Sequence, residues 1–315
     1  MRYFSTFSGI GGFELGIERA YENTHRRGVQ KSTDKNISRR RSDSKRLRER
    51  REQDAVCVGY SEIDKYAAET YQKHFKDHKN YGDITTIDEG ALPDFDLLVG
   101  GFPCQAFSIA GKRRGFDDTR GTLFFELARI IKEKRPSYLL FENVKGLLSH
   151  DEGRTFRTII ATLDELGYNC EWQVLNSKNH GVPQNRERVF IIGHLRRTRR
   201  PQVFPFGEAD GEDTKSRRLH QGDKGRLPSS TKRQKEIKHT GDTHNKAKRQ
   251  NSLSQHKPHS VIRRLTPTEC ERLQGFPDGW TEGASDTQRY KMCGNAVTVN
   301  VIADVMERFI KSVKI

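Results

Sequence analysis

Through the first 193 residues, short apolar runs alternate with stretches in which apolar positions recur every three or four residues. Strands and crossover helices of a parallel sheet leave that pattern in a sequence. Strands are expected at 3–7, 55–61, 95–100, 138–142, 170–176 and 188–193, with a further short strand before Gly82. Helices are expected at 13–20, 65–74, 122–134 and 155–166, the third stopping ahead of Pro136 because the residue before a proline resists the helical conformation. A doubly wound α/β core follows. Near the C-terminus, apolar positions from Val297 through Ile302 and Val305 to Phe309 predict a closing helix.

Two stretches break the pattern. Residues 22–54 include Arg39-Arg40-Arg41 and Lys45-Arg46-Leu47-Arg48-Glu49-Arg50-Arg51, almost without apolar residues, and read as a disordered or frayed helical insertion. Between Glu208 and Ser260 there is no Phe, Tyr or Trp, so 208–260 is expected to be disordered, with too little apolar surface to offset the entropy of ordering. The expected organisation is a catalytic domain of 1–193 plus 285–315, carrying the insertion, and a smaller region at 194–284.

Charge sharpens this division. The chain has a formal net charge of +15 and a pI near 9.6. Residues 21–55 carry a net +6 and residues 195–264 a net +12, which leaves the remainder slightly acidic. Basicity therefore belongs to two segments, and it points to a polyanionic partner. The five cysteines are odd in number and widely spaced, with no Cys-x-x-Cys pair, which fits a reducing compartment and predicts no metal centre. No apolar run reaches the ~18 residues of a membrane span, and Met1-Arg2-Tyr3-Phe4 shows no signal-peptide pattern. A cytoplasmic, nucleoid-associated protein is expected, with no membrane partner.

The candidate chemistry lies at strand ends. Phe7-Ser8-Gly9-Ile10-Gly11-Gly12-Phe13 follows the first strand, where glycines let a backbone approach a ligand at a helix start. The second strand ends in Ser61-Glu62-Ile63-Asp64, placing an acid where ribose hydroxyls are commonly held. Gly82-Asp83-Ile84 offers a second acid, for an adenine amino group. Val99-Gly100-Gly101-Phe102-Pro103-Cys104-Gln105 brings a thiol into the crevice where open sheets bind ligands. A lone cysteine is usually a small buried hydrophobe, but a loop beside a proline is a poor place to pack and a good place to react. The next strand delivers Glu142, which burial can keep protonated as an acid. Arg186 and Arg188, two residues apart, are expected to face the same way.

A cofactor turn, a thiol, an acid and paired guanidinium groups suit methyl transfer to an unactivated aromatic carbon. Carbon 5 of cytosine is a poor nucleophile. Adding a thiolate at carbon 6 while protonating ring nitrogen 3 converts it into an enamine carbon. In that scheme Cys104 adds, Glu142 protonates, and Arg186 and Arg188 hold the base and its backbone.

These motifs, in this order, resemble those of the bacterial and phage DNA (cytosine-5)-methyltransferases. Arg264-Leu265-Thr266-Pro267-Thr268-Glu269-Cys270 with Leu273-Gln274-Gly275-Phe276-Pro277, and then Gly294-Asn295-Ala296-Val297, extend the resemblance to the C-terminal part. It implies a Rossmann-like core that binds S-adenosylmethionine, without a metal, through Phe7, Gly9, Ile10, Gly12, Glu62, Ile63, Asp83, Ile84, Asn295, Ala296 and Val297. It also implies a flipped-out cytosine in double-stranded DNA, a loop carrying Gln105 and Ser108 that closes over the DNA, a target-recognition domain within 194–284, and a monomer working alongside a cognate restriction endonuclease. The alternatives are a methyltransferase of tRNA with a similar core, and a non-catalytic nucleic-acid-binding homologue. Intact Cys104, Glu142, Arg186 and Arg188 weigh against the last.

Overall fold

Six strands form one sheet in the order β2-β1-β3-β4-β6-β5. They are β1 (Arg2–Thr6), β2 (Val56–Ser61), β3 (Leu97–Gly100), β4 (Tyr138–Val144), β5 (Tyr168–Asn176) and β6 (Glu187–Leu195). The computed structural model describes residues 1–30, 55–103, 123–206 and 263–313. All six central strands expected from the sequence are present. The extra strand before Gly82 is not: Asn80 makes only an isolated bridge to Tyr60. Direction also differs from the expected parallel sheet, because β6 runs antiparallel to both β4 and β5. The link between β5 and β6 is residues 177–186, shorter than the dozen or so residues a parallel crossover needs, so the chain must turn back.

Alternate strand residues feed two cores. Tyr3, Leu97, Val99 and Leu140 face α1 (Gly12–Gln30) and α7 (Val299–Val313), where they meet Phe13, Ile17, Ile302, Val305 and Phe309. Phe4, Leu98, Leu139 and Phe141 face α3 (Leu123–Lys134) and α4 (Arg154–Glu165), against Leu127, Ile131, Ile159 and Leu163. Burial on both faces is why these strands read as continuous apolar runs. A third cluster holds α2 (Lys65–His74) to the C-terminal segment through Tyr60, Tyr71, Phe75, Phe276, Trp280 and Met292. Helix α1 and helix α7 approach closely: a Cβ on Gly16 would lie 2.5 Å from Ile302.

The remaining helices are α5 (Pro267–Leu273) and α6 (Asp286–Asn295). Thr266 and Glu269 form a reciprocal capping box at the start of α5, with Pro267 at its first position. Met1–Arg218 and Thr266–Ile315 make one compact unit, and Leu219–Leu265 belong to a second, of which only 263–265 are described. Helix α5 and residues 274–284 thus lie in the unit that holds the sheet, inside the stretch expected to form the recognition region. Helix α1 continues ten residues beyond its expected end, into the basic insertion. The rest of that insertion, and the 208–260 stretch, lie outside the described residues. Among the described residues, no helix is long and apolar enough to cross a membrane.

Candidate active site

Strands β1, β2, β3 and β4 end at one edge of the sheet, and β6, running the other way, begins there. The described residues that leave or enter these strand ends therefore open on the same side. The loops enclose a cleft of about 600 Å³, within the range of cofactor and substrate sites.

The first wall is the turn after β1. Phe7, Gly9 and Gly11 all have positive φ, at 51°, 55° and 88°. Glycine adopts that conformation without penalty, and Phe7 does so at a cost. The Gly9 N–H donates to Glu62 Oε2 at 2.8 Å, while Glu62 Oε1 accepts from the Asp64 N–H at 2.7 Å. Each oxygen keeps a second lone pair for a ligand. Burial pushes the Glu62 carboxyl up, against the pull of those two backbone N–H groups. Asp83 caps a short 3-10 turn by accepting from the Thr85 N–H. Around these acids stand Phe7, Ile10, Ile63 and Ile84. Ile63 is 72% exposed and Ile10 and Ile84 are buried. A Cβ at Gly9 or Gly82 would meet nothing within 4 Å, so the backbone is bare to the cleft at both glycines.

The opposite wall is built by β4 and β6. Val144 stands across from Arg188 and Glu142 across from Phe190, which makes Glu142 and Arg188 diagonal neighbours on one face. Arg188 Nε comes within 3.0 Å of Glu142 Oε1. Glu142 is buried, and burial raises its pKa, with Arg188 and then Arg186 opposing that rise. A Cβ at Gly101 would come within 3.2 Å of Glu142 Oε2, so glycine there leaves the carboxyl its room. Asn143 donates from Nδ2 to the Phe102 carbonyl at 2.7 Å. That bond ties the acid-bearing strand to the segment that leads into Cys104.

Arg186 reaches elsewhere. Its Nη1 and Nη2 donate to the carbonyls of Gly294 and Ala296 at 3.2 and 2.9 Å, bracing the end of α6. Its Nε is buried without a partner. Burial, with Arg188 nearby, lowers its pKa to about 10.

Of the residues singled out from the sequence, Phe7, Gly9, Ile10, Glu62, Ile63, Asp83, Ile84, Glu142, Arg186, Arg188 and Asn295 line the cleft together. Gly12, Ala296 and Val297 stand behind it: a Cβ on Gly12 would lie 2.7 Å from Val297, so that glycine serves helix packing. Cys104, Gln105 and Ser108 lie outside the described residues, although Pro103, immediately before Cys104, lines the cleft beside Glu142. Sequence reasoning did not single out Lys291, whose Nζ lies 2.6 Å from Asp64 Oδ2 across the mouth. Its helix has little amphipathic pattern, so no signal marked it. Nor did sequence reasoning single out Asn143, which lines the cleft and donates to the Phe102 carbonyl. Among the described residues, no cluster of metal-ligating side chains is present.

The family described as C-5 cytosine-specific DNA methylase matches residues 1–215 and 204–311. The chain is 44% identical over 278 residues to the type II methyltransferase M1.ScrFI of Lactococcus lactis subsp. cremoris, covering 80% of this chain and 71% of that one. It is 37% identical over 327 residues to the type II methyltransferase M.NlaX of Neisseria lactamica, covering 96% and 94%. Among solved structures, a putative DNA modification methyltransferase encoded within an Escherichia coli prophage superposes with a TM-score of 0.60 at 18% identity, over the full length of both chains. That likeness concerns the fold.

Proposed function

The chain belongs to the C-5 cytosine-specific DNA methylases, and from that premise we propose that it methylates carbon 5 of a flipped-out cytosine in duplex DNA as the modification enzyme of a type II restriction-modification system. The observation that carries the assignment of roles is the pairing of buried Glu142 with Arg188 at the strand edge, next to the segment that enters Cys104.

The residues of the first wall fit S-adenosylmethionine. Two carboxylates with free lone pairs suit hydroxyl and amino donors, the Phe7, Ile10, Ile63 and Ile84 surfaces suit a flat ring, and two bare glycines leave the space. When bound, the cofactor supplies an electrophilic methyl group. Glu62 would hold its ribose and Asp83 its adenine amino group. A metal takes no part in this scheme.

Cys104 supplies the thiol, which gives up its proton to solvent and, as the thiolate, bonds through sulfur to carbon 6 of the base. Glu142, kept toward its acid form by burial, holds a proton at ring nitrogen 3, so that the electron pair displaced by the sulfur reaches carbon 5. Arg188 limits how far the Glu142 pKa rises and fixes the carboxyl's orientation. Once carbon 5 has accepted the methyl group, loss of its remaining proton to solvent breaks the carbon 6–sulfur bond, expels the thiolate and restores the ring. Gln105 and Ser108 would close over the DNA. The enzyme would act as a monomer at the nucleoid, in the cytoplasm, with a cognate endonuclease as its functional partner; free Cys57, Cys170 and Cys293 fit a reducing compartment.

Purified protein should transfer tritium from methyl-labelled S-adenosylmethionine to duplex DNA, with bisulfite sequencing placing the mark on one cytosine of a short recurring sequence. Cys104→Ala should abolish labelling while cofactor affinity stays unchanged. Labelling by Cys104→Ala at the wild-type rate would overturn the assignment.

A further inference from the structure

Trp280 lies outside the cleft, yet its one polar group is aimed at the cleft's glycine-rich turn. The indole Nε1 donates to the carbonyl of Ile10 at 2.8 Å, across 270 residues of sequence, and both ends of the bond are buried. The turn is thereby held from two sides, by Glu62 at the Gly9 N–H and by Trp280 at the Ile10 carbonyl. Phe7 holds its positive φ at a cost, and the turn that follows it is thereby one that benefits from such holding.

Trp280 is itself fixed. His74 stacks on the indole with centroids 3.5 Å apart and planes 5° from parallel, and His74 Nε2 lies 2.8 Å from the Trp280 carbonyl. The buried Glu271 carboxylate accepts from the N–H groups of Gly279 and Thr281, from the Thr281 hydroxyl and from Arg289, which clamps the residues on either side. Phe75, against which a Cβ on Gly11 would collide, packs edge-on to the same indole. An apolar side chain would fill this cage equally well. The indole N–H is the part that packing does not require.

We infer that Trp280 is a positioning residue for the cofactor, setting the orientation of the Ile10–Gly11 peptide and so the floor on which the cofactor rests. The inference rests on the reading of the cleft as the S-adenosylmethionine site. Trp280→Phe keeps a buried ring but leaves the Ile10 carbonyl without its donor, and should weaken cofactor binding about tenfold. The rate at saturating cofactor should stay within about twofold. Trp172→Phe, at a tryptophan packed on Phe156 away from the cleft, should bind as the wild type does.

Calorimetric titration of the full chain with S-adenosylmethionine tests this. A wild type that does not bind would sink the reading of the cleft itself. A wild type that binds, with Trp280→Phe matching it within about twofold, would overturn the role of Trp280 alone. Should Trp280→Phe fail to fold, 3-benzothienylalanine at position 280 keeps the bicyclic shape and replaces only the N–H, with the same two outcomes.

Discussion

Arg188 Nε and Glu142 Oε1 stand 3.0 Å apart, a diagonal contact between antiparallel strands at the mouth of the cleft. The pair has opposed effects on one proton. Burial favours the neutral carboxyl, and the guanidinium favours the charged one. The result is a raised pKa, in a group that a base-activating step needs in its acid form. With the protonated form as the active one in the proposed scheme, the rate of transfer should fall as pH rises through the Glu142 pKa. Glu142→Gln should lose about 100- to 10,000-fold in single-turnover rate, the usual worth of a general acid, and its residual rate should lack that alkaline limb. A variant that keeps the limb would show that another group titrates there.

Arg129, on α3, fastens the first wall of the cleft. It donates to the carbonyls of Ile84 and Ile87 at 3.0 and 2.8 Å and pairs with Glu126 and Glu89. Arg129→Met leaves two carbonyls and two carboxylates without this donor, and should cost about 1–3 kcal/mol of stability. With the Ile84 side of the cleft loosened, the KM for cofactor should rise as well. Urea denaturation and cofactor titration of the same preparation measure both. A stability loss with unchanged KM would confine Arg129 to a scaffolding role.

Asp64 serves two partners that a mutation can separate. One oxygen caps α2 by accepting from the Tyr66 and Ala67 N–H groups, and the other meets Lys291 at 2.6 Å. The Lys291 contact, first among several, holds the Asp64 carboxyl below its usual range. Asparagine caps as well as aspartate does, whereas alanine forfeits about 1 kcal/mol. Asp64→Ala should therefore lower stability measurably, and Asp64→Asn should not, because an exposed ion pair adds little. Equal losses in the two variants would show that the ion pair, and not the cap, is what matters.

These residues differ in how far the sequence announced them. Glu142, Arg186 and Arg188 were legible because short apolar runs locate strand ends, and strand ends of an α/β sheet share one edge. The direction of β6 was legible too, had the ten-residue link 177–186 been measured against what a crossover requires. The strand expected before Gly82 was placed there to bring Asp83 to a strand end, although residues 74–81 carry only Phe75 and Tyr81 among polar neighbours; Asn80 and Tyr60 make a single bridge. Trp280 and Lys291 could not be found this way. Each acts on a residue more than 200 positions distant, and no local periodicity encodes such a meeting. Gly12 illustrates a different limit, since a glycine for close helix packing and a glycine for ligand approach look alike until Val297 is placed.

Glu14 gives the clearest expected dependence of stability on pH. It sits fully buried in the first turn of α1, among Tyr3, Ser5, Cys57 and Tyr71, with no well-aligned hydrogen bond to either oxygen. Burial lifts its pKa from an ordinary 4.5 to about 7, which hydroxyl contacts from Ser5 and Tyr71 only partly oppose. The folded state therefore holds its proton more tightly than the unfolded chain does. Its stabilising effect is complete below about pH 4.5, is lost progressively up to about pH 7, and does not change beyond. A rise of that size corresponds to about 3 kcal/mol. The same side chain lies near the positive end of the helix dipole, which favours the ionised form by at most ~1 kcal/mol at such positions, too little to reverse the sign. Between pH 4.5 and 7 the wild type should thus lose about 3 kcal/mol more than Glu14→Gln, whose amide does not titrate. Urea midpoints across that interval measure the difference. Parallel profiles for the two proteins would mean that the carboxyl is hydrated or paired in solution, and that its burial carries no such penalty.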